Sequence, residues 1–342
     1  MKKIKVAIVG YGNIGRGVHC AVDRNPDMEL VQIITRDPDR VKKHVKKIPV
    51  YAIGDFKKTA DVAILCSGSK DDIFGAASGI KSLKKRIDDP DVHGQGPFFA
   101  QYFNTVDSFD THARIPAYHT AMDHYAARNK HTAIISAGWD PGTFSWERVL
   151  ADAFIPGARH YTFWGPGVSQ GHSDAVRSIQ GVLDARQYTL PVDAAIQKVR
   201  DCANPRLRAC DKHTRLVYVV AHKGADRKKI EKEIKLMPHY FSEYRTRVVF
   251  ITESEMAKKH SQYPHGGFVV ATNQKGIGSR ALLEYRCEWG SNAEATGNIL
   301  TACSRACFRM NQAKNYGAFT MLDLPAAYFS LHSKKKLLVE YM

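Results

Sequence analysis

Apolar residues along the first half of the chain come in short runs, each ended by glycine or charge and followed by an amphipathic stretch. Val6 to Val9 is wholly apolar, as a parallel strand covered on both faces must be. It empties into Gly10, Gly12 and Gly15, and Val18 to Asp23 then reads as helical. Met28 to Ile34 predicts a second strand, Tyr51 to Asp55 a weak one and Ala60 to Cys66 a strong one. Phe99 to Phe103 reads as helix, Asn104 to Asp107 as a short strand, Ile115 to Ala127 as helix and Thr132 to Ser136 as strand. This alternation predicts an α/β domain over residues 1–150, with a doubly wound parallel sheet.

Beyond about residue 155 the pattern changes. Tyr161 to Trp164, Leu216 to Ala221, Arg247 to Thr252, Gly267 to Ala271 and Ala281 to Trp289 read as strands of a mixed or antiparallel sheet. Val192 to Arg200 and Arg227 to Lys235 supply helices between them, and Asn298 to Met310 a further one. A second, α+β domain is therefore expected over residues 151–314, with the tail from 315 to 342 packing back on the first. No internal repeat or low-complexity linker interrupts the chain.

Composition narrows the class without fixing the function. With 342 residues, 44% hydrophobic and 25% charged, the chain has material for two cores. Its apolar runs stay well short of the ~20 residues of a membrane span. Cys20, Cys66, Cys202, Cys210, Cys287, Cys303 and Cys307 are scattered and odd in number, which suits reduced thiols in a cytoplasm and gives neither a disulfide framework nor a metal site. The net charge of +16 raises the question of nucleic acid. The Lys and Arg are spread end to end, however, so solvated faces that attract anionic cofactors and dicarboxylates are the simpler reading.

The glycines after the first strand are spaced G-x-G-x-x-G, the fingerprint of a Rossmann dinucleotide-binding turn. Each has a mechanical role, in turn a tight bend, backbone approach to a pyrophosphate, and close packing of helix on strand. Gly10, Gly12, Asn13, Ile14 and Gly15 are thus expected to line the cofactor. At the end of the second strand stand Thr35 and Arg36, a hydroxyl and a guanidinium suited to a ribose 2′-phosphate. NADP(H) is therefore expected, although Asp37 follows directly and is the residue type that selects NAD. The strand ends at Cys66, Ser67, Gly68 and Ser69, and at Asp107 and Ser108, complete the expected cofactor contacts.

Two carboxylates follow predicted strands at the edge where such sheets bind ligands: Asp110 in N-T-V-D-S-F-D-T-H, and Asp140 in G-W-D-P-G. Further motifs are T-F-W-G-P-G-V-S-Q-G-H-S-D from Thr162, Q-Y-T-L-P from Gln187, K-H-T-R from Lys212, M-P-H-Y-F from Met237 and Y-P-H-G-G from Tyr263. Singly, each has a bland explanation: Asp140 as a helix cap, Trp164 as core, His265 as a loop histidine. Together with G-Y-G-N-I-G-R they resemble, nearly end to end, the meso-diaminopimelate dehydrogenases.

That resemblance implies NADP-dependent oxidative deamination at the D-centre of meso-2,6-diaminopimelate by a homodimer formed through the second domain's sheet. It implies that Asp110 and Asp140 hold the reacting ammonium, one of them acting as a base, with Trp139, Trp164, Gln170 and Gly171 around that end. Thr189, Arg215, His265 and Asn292 match positions that grip the distal L-amino-acid end. One departure stands out: Phe74 to Gly94 adds about twenty residues to the family pattern. Ile80, Leu83 and Ile87 recur there at helical spacing, which reads as a surface excursion, a cofactor cap or an extension of a subunit contact. Other functions to set against this are a dehydrogenase for another amino or keto acid, and a nonenzymatic NADP-binding sensor.

Overall fold

The computed structural model describes residues 3–67, 94–238, 240–273 and 278–342. The chain divides into two compact units, Met1–Trp146 with Ala293–Met342, and Glu147–Asn292. Residues 74–93 of the extra segment, together with Gly68, Ser69 and His239, lie outside the described residues.

The first unit is built on a seven-stranded parallel sheet. Its strands are β1 (Ile4–Val9), β2 (Met28–Thr35), β3 (Val50–Ala52), β4 (Val62–Leu65), β5 (Asn104–Asp107), β6 (Thr132–Ile134) and the late strand Gly317–Phe319. The spatial order is Gly317–Phe319, β6, β5, β4, β1, β2, β3. Strand order reverses beside β1, with β2 on one side and β4 on the other, and a crevice at the carboxyl ends of such strands is where doubly wound sheets take ligands.

The alternation of side chains along β1 explains why the sheet is covered twice. Val6 and Ile8 enter one core with Val18 and Val22 of the helix Asn13–Asp23 and with Leu300, Cys303 and Cys307 of the long helix Asn292–Gln312. Ala7 and Val9 enter the other, against Phe98, Phe99, Met122 and Tyr125 from the helices Gln95–Ala100 and Ile115–Arg128. Each such buried aliphatic or aromatic side chain contributes roughly 1.5–3 kcal/mol. Gly17 and Gly297 let the first and long helices meet backbone to backbone; a Cβ on Gly297 would overlap Gly17.

The long helix corrects the expected boundary. The sequence pattern marks only its central part, and assigns residues up to 314 to the second domain. The helix instead supplies a principal wall of the first unit's core, and the tail follows it there. Arg305, almost fully buried, fastens this join: it pairs with both oxygens of Asp27 at 2.6 and 2.7 Å and donates to Phe329 O at 2.9 Å. A second correction concerns Phe99 to Phe103. The helix there begins earlier, at Gln95, with Pro97 in its first turn, and ends at Ala100.

The second unit contains two sheets where one was expected. Its strands are β7 (Arg159–Trp164), β8 (Gly167–Val168), β9 (Val182–Pro191), β10 (His213–Ala221), β11 (Thr246–Phe250), β12 (His265–Thr272) and β13 (Leu282–Trp289). Four of them form a sheet ordered β11-β10-β9-β8, in which β10 and β11 run parallel and the other pairs antiparallel. The other three form an antiparallel sheet ordered β13-β12-β7. Val217, Val219, Ile230, Ile234 and Phe241 make one core; Phe163, Phe268, Ile196 and Val199 make another on the three-stranded sheet. Among the described residues no helix is long and apolar enough to cross a membrane.

Candidate active site

Nucleotide chemistry is concentrated at the carboxyl end of β1. Gly10 adopts φ 88°, a left-handed conformation natural to glycine, and its N–H donates to Ile34 O at 2.8 Å. Gly15 packs so closely on the Gly10 carbonyl that a Cβ there would overlap it. Gly12 caps the helix Asn13–Asp23 and has open space where its Cβ would be, as a pyrophosphate approaching the helix amides requires. Asn13 and Ile14 form the first turn of that helix, which begins five residues before the predicted Val18 because Gly12 supplies the cap.

A cleft of about 360 Å³ opens beside this turn, lined by residues that include Gly10, Gly12, Thr35, Arg36, Asp37, Arg40, Cys66 and Ser67. The glycine turn, the β2 end and the β4 end thus meet in one cavity. Thr35 is buried, and its hydroxyl accepts the Asp37 N–H at 3.4 Å. Asp37, the residue that leaves NAD open in the sequence, is committed elsewhere: it caps the short helix Pro38–Lys42 by accepting Arg40 N–H at 3.0 Å, and it pairs with the Arg40 side chain at 3.6 Å. Arg40 was missed in the sequence. Its signal was a guanidinium one helical turn beyond the β2 end. Burial pushes the Cys66 thiol up, so Cys66 serves the cleft as a small neutral wall.

The loops bearing the two carboxylates are stitched together by Asp107. Its carboxylate accepts N–H groups of Phe109 at 2.9 Å and Ser136 at 3.0 Å and the Tyr118 hydroxyl at 2.7 Å, while its backbone carbonyl accepts Ala137 N–H at 2.8 Å. Burial raises the Asp107 pKa, and the bonds from Ser136, Phe109 and Tyr118 only partly offset this. The side chain expected to touch cofactor is therefore spent on holding the ends of β5 and β6, with Ser108 following it at the strand exit. Phe109 stacks on Tyr118 at 4.1 Å between ring centroids, so the chain leading to Asp110 is braced. Asp110 is exposed and Asp140 half-buried. Trp139 is buried, its ring edge-on to Phe144 at 6.1 Å.

In the second unit, Trp164, Thr189, Arg215 and His265 come together where the two sheets approach. Arg215 and Thr189 are cross-strand partners on β10 and β9, and the guanidinium donates to the Thr189 hydroxyl. Thr189 also pairs with Gly167 of β8, and Trp164 with Gly267 of β12. The Trp164 and His265 rings lie 5.8 Å apart. Gln170 and Gly171 open the helix Gln170–Arg177, capped by Ser169; Gly171 faces open space and Gln170 donates to Asp174 at 3.5 Å. Asn292 is held through its backbone N–H to Tyr263 O at 3.1 Å.

Arg215 dominates the electrostatics here. It is 9% exposed, its guanidinium lies 4.0 Å over the Tyr244 ring, and among the described residues no carboxylate pairs with it. Its Nε is buried without a hydrogen-bond partner, as is Oε1 of nearby Gln187. Burial lowers its pKa, and burial together with its charge drives His172 and His213 down to about 4. His265 is also lowered, by burial. These imidazoles are neutral at physiological pH. His213 accepts the Trp164 N–H at 2.8 Å, and the His172 ring sits beside Ser169 Oγ at 2.7 Å. Both were visible in their motifs, but nothing in the sequence tied them to Arg215. A buried guanidinium among neutral, hydrogen-bonding walls has the chemistry to receive an anion, since a buried charge without a counter-charge is costly.

The fold and these sites define a two-domain, nicotinamide-dinucleotide-type oxidoreductase. Residues 138–291 match the family model of the diaminopimelic acid dehydrogenase C-terminal domain, and residues 1–71 that of the CoA binding domain. The chain is 47% identical to the meso-diaminopimelate D-dehydrogenase of Ureibacillus thermosphaericus, over the whole of both proteins. Its fold matches the Corynebacterium glutamicum DAP dehydrogenase in complex with DAP with a TM-score of 0.84, at 38% identity over all of both chains. An engineered D-amino acid dehydrogenase bound to NADP⁺ matches with a TM-score of 0.80, at 37% identity and full coverage of both. The chain belongs to the meso-diaminopimelate D-dehydrogenase family.

Proposed function

We infer that this chain catalyses the reversible, NADP-dependent oxidative deamination of meso-2,6-diaminopimelate at its D-centre. The products are L-2-amino-6-oxopimelate, which cyclises to tetrahydrodipicolinate, with ammonia and NADPH, a step of lysine biosynthesis. The observation that carries the substrate reading is Arg215, a buried cation with no carboxylate partner among the described residues. A substrate with a second α-carboxylate beyond its reacting carbon supplies that partner.

Bound NADP⁺ supplies the hydride acceptor. The residues of this chain hold the pieces in place. Gly10, Gly12 and Gly15 leave backbone room for the pyrophosphate, and Thr35 and Arg36 face the ribose end. Asp110 and Asp140 bind the ammonium of the D-centre, and one of them accepts the proton released as the amine becomes an imine with loss of hydride from its carbon. Water then adds, and ammonia leaves to give the ketone. Trp139, Trp164, Gln170 and Gly171 shape the surroundings of that end. Thr189, Arg215, His265 and Asn292 take the distal L-amino-acid end. An isomer with the wrong distal configuration leaves these buried polar groups unpaired, which is the physical basis for rejecting it.

A homodimer through the three-stranded sheet is part of the same reading. Leu150, Phe154, Val269, Leu283 and Tyr285 line a groove on the second unit beside Glu147, Arg148 and Glu284; Phe154 is 69% exposed. An apolar surface ringed by charges of both signs suits a self-complementary contact with a second copy. Light scattering at micromolar concentration is expected to give twice the chain mass. Seven unpaired cysteines accord with a reducing, cytoplasmic setting.

The direct test is turnover of purified protein with NADP⁺ and each diaminopimelate stereoisomer. NADPH and ammonia in equal amounts from the meso isomer alone support the assignment. Equal rates with the L,L isomer, or no turnover in protein that binds NADP⁺, overturn it.

A further inference from the structure

The cleft at the β2 end contains two guanidiniums, and the sequence motif accounts for one. Arg36 has no partner among the described residues. Arg40, exposed on the helix Pro38–Lys42, has only Asp37. Both line the cavity that also contains Thr35 and the glycine turn. A phosphate monoester carries a charge of about −1.5 to −2 at neutral pH and offers three acceptor oxygens. Arg36 alone leaves that charge half neutralised. Asp37, free to point into the cleft, would repel it further.

We propose that Arg40 is the second cation of the ribose 2′-phosphate site and that Asp37 is its positioning residue. One Asp37 oxygen caps the short helix through Arg40 N–H, and the other lies 3.6 Å from Arg40 Nε. This turns the side chain that would select NAD into a tether for the residue that selects NADP. It fixes the root of the Arg40 side chain while its two Nη groups stay available for bidentate contact with phosphate. The inference rests on NADP(H) being the cofactor and adds a discriminating residue to it.

The experiment is calorimetric binding of 2′,5′-ADP and of 5′-AMP to the full chain, comparing wild type with Arg40→Ala, Arg40→Lys and Asp37→Asn. Arg40→Ala is expected to weaken 2′,5′-ADP by about ten- to a hundredfold, the worth of one charge-assisted bond, and to leave 5′-AMP unchanged. Arg40→Lys should recover part of the loss, since a point charge replaces the fork. Asp37→Asn keeps an N-cap and should leave 5′-AMP binding intact. Unchanged 2′,5′-ADP affinity in Arg40→Ala overturns the proposal, as does equal loss of both ligands. Loss of 5′-AMP alone in Asp37→Asn assigns Asp37 to the ribose hydroxyls and also overturns it. A wild type that prefers 5′-AMP contradicts the cofactor reading itself, a result distinct from failure at Arg40.

Discussion

The carboxylate of Asp107 accepts the backbone N–H of Ser136 at 3.0 Å, tying the end of one strand to the end of the next. The loop after the first strand leads to Asp110, and the loop after the second leads to Asp140. Asp107→Ala therefore leaves the half-buried amide of Phe109 and the buried amide of Ser136 without an acceptor. The buried one costs about 1–3 kcal/mol, and the half-buried one, open to water, much less. Urea denaturation should show a loss in that range, with turnover falling well beyond what the unfolded fraction explains. Asp107→Asn keeps one acceptor and should lie between the two; wild-type stability in Asp107→Ala contradicts the stitch.

Arg215→Met should separate binding from stability. Replacing an unpaired buried cation with an apolar side chain of similar length leaves folding stability equal or improved. Substrate affinity should fall by about a hundredfold or more, because the distal carboxylate loses its partner. The same change lifts the charge that helps hold His172 and His213 down to about 4. Both imidazole titrations, followed by NMR, should move upward in the variant. Unmoved titrations would mean that burial alone sets them.

Asp140→Ala should reduce kcat far more than affinity for NADPH, and Asp110→Ala should do the same. The readout is single-turnover hydride transfer alongside NADPH fluorescence titration. Near-wild-type turnover in either variant removes that aspartate from the chemistry.

The Asp27–Arg305 pair predicts an acid limb of stability. Burial alone would raise the Asp27 pKa, but hydrogen bonds and charge from Arg305 hold it below the ordinary value. A depressed carboxylate stabilises the fold above its unfolded-state pKa of about 3.9 and loses that contribution as pH falls from there through the folded value. Asp27→Asn should flatten the dependence below about pH 4, where the unfolded carboxylate binds its proton before the folded one does. Arg305→Ala, which leaves a partly exposed carboxylate without its partner, should cost about 1–3 kcal/mol at neutral pH. An unchanged acid limb in Asp27→Asn argues against the pair as its source.

Where side chains are apolar on both faces, the sequence announced the fold. β1 and β4 were legible because a parallel strand buried on both faces is largely apolar, and β2 through its apolar end; β5, Asn-Thr-Val-Asp, is buried with a single apolar residue and was placed by the alternation of strands and helices around it. β9 was not, and the reason is its buried polar face. Its inward positions include Ala185, Gln187 and Thr189, so the binary pattern reads as polar where the strand is buried. The long helix was foreshortened because its first turns bury small residues, Ala295, Thr296 and Gly297, the last packed on Gly17, a role that hydrophobic periodicity does not encode. In the cofactor site the glycines were readable from spacing. Asp37 and Arg40 were not, since their capping bond and ion pair, formed one helical turn apart, decide what each side chain can do at the cleft. Resemblance pointed to Thr189 and Arg215; their pairing across adjacent strands, with neutral histidines nearby, needed the structure.

The central claim is that hydride leaves the D-centre of the meso substrate, and isotopic labelling tests it most directly. Two samples of meso-diaminopimelate, deuterated at the D- or the L-centre, are turned over with NADP⁺ and the recovered NADPH is examined by mass spectrometry. The account predicts deuterium in NADPH from the D-labelled sample and none from the L-labelled one. Deuterium from the L-labelled sample, or from both, would contradict it.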